Sequence, residues 1–100
     1  MILAIDFDHT LHDTDHPKPG RRMGPPMKDA VEAVTQLKDQ GHIIIVHSVW
    51  GSKKEVIGDW MSFYNIPYDD ITNIKPEADV YIDNKGYHFI DWSQTLKDIL

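Results

Sequence analysis

The fold is decided by residues 1–10, MILAIDFDHT, in which an unbroken apolar run leads into two acids, Asp6 and Asp8, and a hydroxyl, Thr10. A short apolar run is typical of a strand buried on both faces at the centre of a parallel sheet. Because such a strand ends where polar residues begin, we expect both acids at its carboxyl end, the edge where open α/β sheets bind ligands. Two carboxylates this close repel each other unless a cation or a shared proton lies between them, and Mg²⁺ prefers oxygen ligands. The alternative is a strand that ends in a solvated acidic turn.

Composition limits the class of protein. The chain has 100 residues, the size of one domain with a modest core, and we predict a single domain over residues 1–100. Sixteen acidic and ten basic residues give a net charge of −6, which argues against bulk binding to nucleic acid or membranes, although a nucleic-acid end stays open as a ligand. The absence of cysteine excludes disulfides, thiolate metal sites and a cysteine nucleophile. The first apolar run is too short for a signal peptide and no run has the length of a membrane span, so we expect a cytoplasmic protein.

Strands and helices alternate along the sequence. Apolar spacing predicts helices over residues 26–40, 52–64 and 93–100, and strands over residues 43–46, 71–74, 80–82 and 87–90. The Pro- and Gly-rich residues 11–26 predict a loop over the sheet edge that carries the two acids. This alternation indicates βαβ units with right-handed crossovers. We therefore expect a single-domain, three-layer α/β fold with a parallel sheet.

Polar groups follow three of the predicted strands, and a lysine lies in a loop at the same edge. The set comprises Asp6, Asp8, Ser48, Lys75 and Asp83. Because the carboxyl ends of parallel strands lie on one side of a sheet, we expect these residues to converge. Three carboxylates, a hydroxyl and an ammonium group supply what phosphoryl transfer requires, namely a cation site, a nucleophile or base, and donors to the transferring oxygens.

The motif DFDHT at residues 6–10 resembles the first motif of the haloacid dehalogenase (HAD) superfamily. Ser48, Lys75 and the sequence IDN at residues 82–84 are similar to its second, third and fourth motifs, in the same order. The resemblance covers essentially the whole chain and implies a Rossmann-like parallel sheet with strand order 3-2-1-4-5. No segment between the motifs is long enough for a cap domain, so the resemblance is to a capless member of the phosphatase type.

The resemblance assigns a role to each motif residue. Asp6 is expected to be the nucleophile that forms an aspartyl-phosphate, and Asp8 the general acid that later activates water. The Asp6 carboxylate, the Asp8 backbone carbonyl and the Asp83 carboxylate are expected to hold Mg²⁺. Ser48 and Lys75 are expected to contact the phosphoryl oxygens. The implied function is a Mg²⁺-dependent phosphomonoesterase whose phosphorylated substrate is a nucleotide, a nucleic-acid end or another bulky phosphoester.

Two positions depart from the family pattern. His9 stands where glycine is common, and Asn84 stands where a second acid is common, a deficit that Asp79 is a candidate to fill. These departures leave open a regulatory protein that has kept the fold and lost turnover. A separate alternative is a phospho-acceptor switch like a receiver domain, which also gathers acids, a hydroxyl and a lysine at the ends of its strands. For Ser48 the alternative is an ordinary helix-entry hydroxyl. For Lys75 the alternative is a solvated side chain. Another lysine would then contact the phosphoryl oxygens, and the candidates are Lys53, Lys54 and Lys85.

Four further residues are candidate substrate contacts: Thr10, Arg21, Arg22 and Trp50. The two arginines lie in the loop that follows the acids, where they suit a phosphate clamp, with a solvated turn as the alternative. The indole of Trp50 suits stacking on a base or ring, with core packing as the alternative. The sequence leaves the oligomeric state open, a homo-oligomer included.

Three histidines, His9, His12 and His16, lie at a spacing that a transition-metal site could use. No scaffolding helix is predicted for this segment, and no cysteine is present to complete such a site. We therefore favour surface histidines over a metal site.

Overall fold

The computed structural model describes residues 1–15, 23–48, 54–74, 76–83, 87–88 and 91–99, which contain five strands and three helices. The strands are β1 (Ile2–Asp6), β2 (Ile43–His47), β3 (Asp70–Thr72), β4 (Val80–Asp83) and β5 (Tyr87–His88). The helices are α1 (Ala30–Asp39), α2 (Lys54–Phe63) and α3 (Trp92–Ile99). None of these three helices has the length and apolar character needed to cross a membrane.

The five strands pair in parallel in the order β3-β2-β1-β4-β5. The predicted α/β class with a parallel sheet is therefore confirmed, and the sheet has the strand order 3-2-1-4-5. β1 lies at its centre, so its carboxyl end is flanked by the carboxyl ends of β2 and β4. Asp6 pairs in register with His47 of β2, and Ile5 pairs with Ile82 of β4, one residue before Asp83.

All three helices pack on one face of this sheet. Alternate strand residues point to that face, and Leu3, Ile5, Ile44, Val46 and Ile82 are completely buried there. They belong to a single core cluster with side chains from each helix, namely Ala30, Ala33, Val34, Leu37, Ile57, Trp60, Met61 and Trp92. Burying a side chain as large as leucine stabilises the fold by roughly 1.5–3 kcal/mol. Because nearly all of the buried apolar residues belong to this cluster, it provides most of the hydrophobic stabilisation.

The opposite face of the sheet is not covered by any helix among the described residues. It carries Ile2, Ala4, Ile45 and Tyr81, none of which belongs to the core cluster, and Ile43 at the end of β2 is 45% exposed. The connection from β3 to β4 contains no helix in its described residues, so no described helix crosses this face as a third layer. The three-layer prediction is therefore wrong for the described part of the chain, which has two layers.

The first helix begins later than the sequence predicts. α1 starts at Ala30 rather than at residue 26, because Pro26 forms an isolated bridge with His12 and the Met27 N–H donates to the Leu11 carbonyl at 2.8 Å. These contacts with a distant loop hold the chain extended where local propensity favours a helical turn. The other predicted elements agree with the observed bounds within two residues wherever those residues are described.

Candidate active site

The carboxyl edge of the sheet brings together two of the predicted metal ligands. Asp6 is the last residue of β1, and Asp83 is the last residue of the adjacent strand β4. Both line one narrow cleft, too small in this structure to admit a water molecule, together with Ala4, His47, Pro76 and Tyr81. Because alternate residues of a strand share a face, this cleft lies on the side of the sheet that no described helix covers. The expected convergence is therefore observed for the carboxylates of Asp6 and Asp83.

A histidine contacts the candidate nucleophile. His47 Nδ1 lies 3.1 Å from Asp6 Oδ1, and the His47 side chain is 18% exposed. An ionised carboxylate can only accept, so the imidazole donates. Sequence reasoning misses His47, because the contact depends on the pairing of β1 with β2, which places the two residues opposite each other. The only signal in the sequence is that a polar residue ends each of the two strands.

Two side chains from the following loop hold Asp8. His12 Nδ1 lies 3.1 Å from Asp8 Oδ1, and the Thr14 hydroxyl donates to the same oxygen at 3.4 Å. The Asp8 side chain remains 31% exposed, so it is fixed on one side and accessible on the other. A carboxyl group held in this way can transfer a proton to a bound ligand without first reorienting.

The expectation of surface histidines is wrong for His12. This residue is 5% exposed, and its ring stacks on Phe7 with centroids 5.0 Å apart and contacts the edge of Trp60 at 5.6 Å. The side chain of His9, in contrast, is 54% exposed. The apolar residue at position 7 and a helix distant in sequence enclose His12, and the spacing of histidines does not reveal such an enclosure.

Ser48 lies at the predicted edge but lines a different cavity from the one that Asp6 and Asp83 share. It is 5% exposed and follows β2, where its backbone N–H donates to the Thr72 carbonyl at 3.0 Å. The cavity has a volume of about 200 Å³ and is otherwise lined mainly by Lys54, Ile57, Asp70, Ile71, Thr72 and Asn73. Its polar lining offers donors from a lysine, hydroxyl groups and an amide beside the strand end.

Two predicted roles are revised by the positions of the residues. Thr10 is 2% exposed, and its carbonyl accepts a hydrogen bond from Trp92 Nε1 at 3.1 Å, so it anchors a helix rather than facing a substrate. Asp79 accepts the Ile2 N–H at 2.6 Å, which places it at the amino end of β1, far along the strand from Asp6. Asp79 therefore does not lie with Asp6 and Asp83, and the prediction that it supplements them is wrong. The remaining predicted site residues, Arg21, Arg22, Trp50 and Lys75, lie outside the described residues, as do His16 and Asn84.

The donor set in the cleft suits a magnesium ion. Within the described ranges, no group of three or more His, Cys, Asp and Glu side chains is arranged to hold a metal ion. Mg²⁺ does not need such a cage, since it usually takes one or two protein carboxylates and completes its shell with water and substrate phosphate. Asp6 and Asp83 provide two carboxylates in one cleft.

Comparison with known proteins gives one likeness of fold. No protein-family model and no curated protein matches the sequence. The structure is similar to that of a conserved protein from Bacteroides thetaiotaomicron, with a TM-score of 0.73 and 22% sequence identity over 99% of this chain and 88% of that chain. At this level of identity the likeness shows a shared fold.

Proposed function

We propose that this protein is a Mg²⁺-dependent phosphomonoesterase of the HAD type, with Asp6 as nucleophile and Asp8 as general acid. One observation carries the proposal: Asp6 and Asp83, which end neighbouring strands and lie far apart in sequence, line the same cleft. Asp8 follows the proposed nucleophile by two residues and is held by His12. The proposal thus combines a cation site, a nucleophile and a proton donor at one edge of the sheet.

The first half of the proposed reaction transfers the phosphoryl group to the protein. An oxygen of the Asp6 carboxylate attacks phosphorus, and the bond from phosphorus to the ester oxygen breaks. The electron pair of that bond goes to the leaving oxygen, which takes a proton from the Asp8 carboxyl group. Because His47 lies against Asp6 Oδ1, we assign the attack to Oδ2. The products are an aspartyl-phosphate and the free alcohol.

The second half returns the protein to its starting state. The Asp8 carboxylate accepts a proton from water, and the water oxygen attacks the phosphorus of the aspartyl-phosphate. Inorganic phosphate leaves, and the Asp6 carboxylate is restored. One residue thus serves as acid and then as base, which requires that it stay within reach of the leaving oxygen and of water. The partial exposure of the Asp8 side chain is compatible with both.

Charge balance in the cleft calls for cations. Mg²⁺ held by Asp6 and Asp83 would supply positive charge, which would reduce the repulsion between the Asp6 carboxylate and the substrate phosphate. We propose that the Lys75 ammonium group donates to the phosphoryl oxygens, as the family resemblance implies. Ser48, which lines a separate cavity, does not take part in this proposed contact.

The proposed substrate is a bulky phosphomonoester, such as a nucleotide or the phosphorylated end of a nucleic acid. The support is the position of the cleft on a face of the sheet that no described helix covers. An uncovered site does not have to enclose the alcohol part of its substrate, so no helix among the described residues limits the size of that part. The net charge of −6 makes contact with a long stretch of nucleic acid unfavourable, which favours binding of its end.

The test is hydrolysis of p-nitrophenyl phosphate and of a panel of nucleotides and end-phosphorylated oligonucleotides. We expect phosphate release that requires Mg²⁺, stops with a chelator, and falls by at least about a thousandfold in Asp6→Asn. The matched control is Asp59→Asn, the same substitution at an exposed position of α2, which we expect to retain activity within about twofold. A folded protein that releases no phosphate from any substrate with Mg²⁺ would contradict the proposal. One equivalent of stable aspartyl-phosphate without turnover would instead favour the phospho-acceptor alternative.

A further inference from the structure

The ring of His12 and both of its nitrogens have contacts with described residues. It stacks on Phe7 with an interplanar angle of 18° and meets Trp60 edge-on at 75°. The Gly24 N–H donates to His12 Nε2 at 2.8 Å, and the Trp60 indole Nε1 donates to the Gly24 carbonyl at 3.0 Å. These contacts fix both the plane of the imidazole and the direction in which each of its nitrogens points.

The contact with Gly24 determines the tautomer of His12. A backbone N–H can only donate, so Nε2 must carry a lone pair and no proton. A neutral imidazole then has its single proton on Nδ1. Nδ1 lies 3.1 Å from Asp8 Oδ1 and 3.3 Å from the Thr14 hydroxyl, so the shorter contact of this N–H is with the carboxylate. His12 is therefore a hydrogen-bond donor to one particular oxygen of Asp8.

We propose that His12 is the positioning residue of Asp8, and that its Nδ1–H keeps the acidic proton of Asp8 on Oδ2. A carboxylic acid has one oxygen that carries the proton and one that accepts. Because the Nδ1–H lies against Oδ1, that oxygen is the acceptor, and the proton lies on Oδ2. The inference rests on the proposed function, since it concerns the general acid of that reaction.

A positioned proton matters most when the leaving oxygen is a poor leaving group. The oxygen of p-nitrophenol departs readily as an anion, whereas an alkoxide needs a proton as the ester bond breaks. A general acid contributes typically 10²–10⁴-fold to such a step. Loss of His12 should therefore slow hydrolysis of an alkyl phosphate far more than hydrolysis of p-nitrophenyl phosphate. A residue that only stabilises the fold would slow both equally.

The first experiment measures the tautomer in the unmodified protein. In ¹⁵N-labelled protein, we expect the His12 side-chain signals to show a protonated Nδ1 and an unprotonated Nε2. In Asp8→Asn, where the carboxylate is lost, we expect the signal of the Nδ1 proton to shift. A proton on Nε2 in the wild type would overturn the proposal. This measurement does not depend on activity, so it tests the hydrogen bond between His12 and Asp8 even if the protein is not a phosphatase. If no phosphatase activity is found, the catalytic part of the inference fails together with the proposed function.

The second experiment compares glycerol phosphate with p-nitrophenyl phosphate. For His12→Phe, which keeps the ring stacking, we expect kcat to fall by about tenfold or more for the alkyl ester and by about threefold or less for the aryl ester. His12→Asn keeps an N–H donor and should recover much of the loss for the alkyl ester. Met61→Leu, at a completely buried position of α2, is the packing control, and we expect it to slow both substrates by the same factor. Equal losses in His12→Phe for the two esters would refute the positioning role.

Discussion

Replacement of Trp92 by phenylalanine tests the link between α3 and the loop that carries the candidate acid. Trp92 is completely buried, and its Nε1 donates to the Thr10 carbonyl at 3.1 Å. Trp92→Phe leaves that carbonyl without its indole donor in the interior, which costs about 1–3 kcal/mol. The smaller ring also leaves a void, which adds about 1 kcal/mol or more. We therefore expect the free energy of unfolding to fall by about 2–4 kcal/mol, a large part of the ~5–15 kcal/mol of a domain this size.

The assay is urea unfolding followed by far-ultraviolet circular dichroism, together with a thermal scan. We expect a lower urea midpoint at an unchanged slope, and a Tm lower by about 10–25 °C. The matched control is Phe63→Leu on α2, where the aromatic side chain is 62% exposed and we expect a change of about 0.5 kcal/mol or less. If Trp92→Phe and the control shift the midpoint equally, the buried hydrogen bond to Thr10 does not anchor the helix, and the reasoning fails.

Two further predictions concern carboxylates. In Asp83→Asn we expect the Mg²⁺ concentration for half-maximal phosphatase activity to rise at least about tenfold, while Asp59→Asn leaves it unchanged; equal values in both variants would remove Asp83 from the metal site. The pKa of Asp69 is lowered below its ordinary value of 3.8, first by the hydrogen bond from Lys38 and then by that from the Ile44 N–H. The ionised Asp69 carboxylate therefore stabilises the fold fully at pH values above its ordinary pKa, and this stabilisation is lost as the pH falls through the lower pKa of the folded state. We expect Asp69→Asn to lower stability by up to about 1 kcal/mol at neutral pH, since the pair is partly exposed, and the difference from wild type to vanish in strongly acidic urea titrations; a pH-independent difference would contradict this.

Much of the site can be predicted from the sequence, because its placement depends on local patterns. The apolar run before Asp6 and the run before Asp83 each specify a buried strand, and parallel pairing then brings the two carboxylates to one edge. This inference needs only the period of the strands and the rule that parallel strands share a carboxyl side. It is accordingly the part of the site that the structure reproduces.

The other features depend on contacts between distant residues. The late start of α1 results from pairing between Pro26 and His12, which no local propensity reveals. The burial of His12 requires Trp60, a residue of α2. The lack of a third layer in the described residues is equally hidden, because Ile45 and Tyr81 have the apolar character of covered positions although no described helix packs on them. Sequence patterns specify which residues prefer burial, whereas the fold decides which of them obtain a partner.

The tethering of the chain that follows β1 has a consequence for local opening. Its described parts are joined to the helical layer at two points, through the Trp60 indole at Gly24 and the Trp92 indole at Thr10. Releasing Asp8 from His12 by local unfolding would break aromatic packing that belongs to the core. The free energy of opening there therefore approaches that of global unfolding, which makes this segment part of the main cooperative unit rather than a fraying loop. In this small domain, the residues proposed to perform the chemistry and the residues of the core therefore unfold in one cooperative transition.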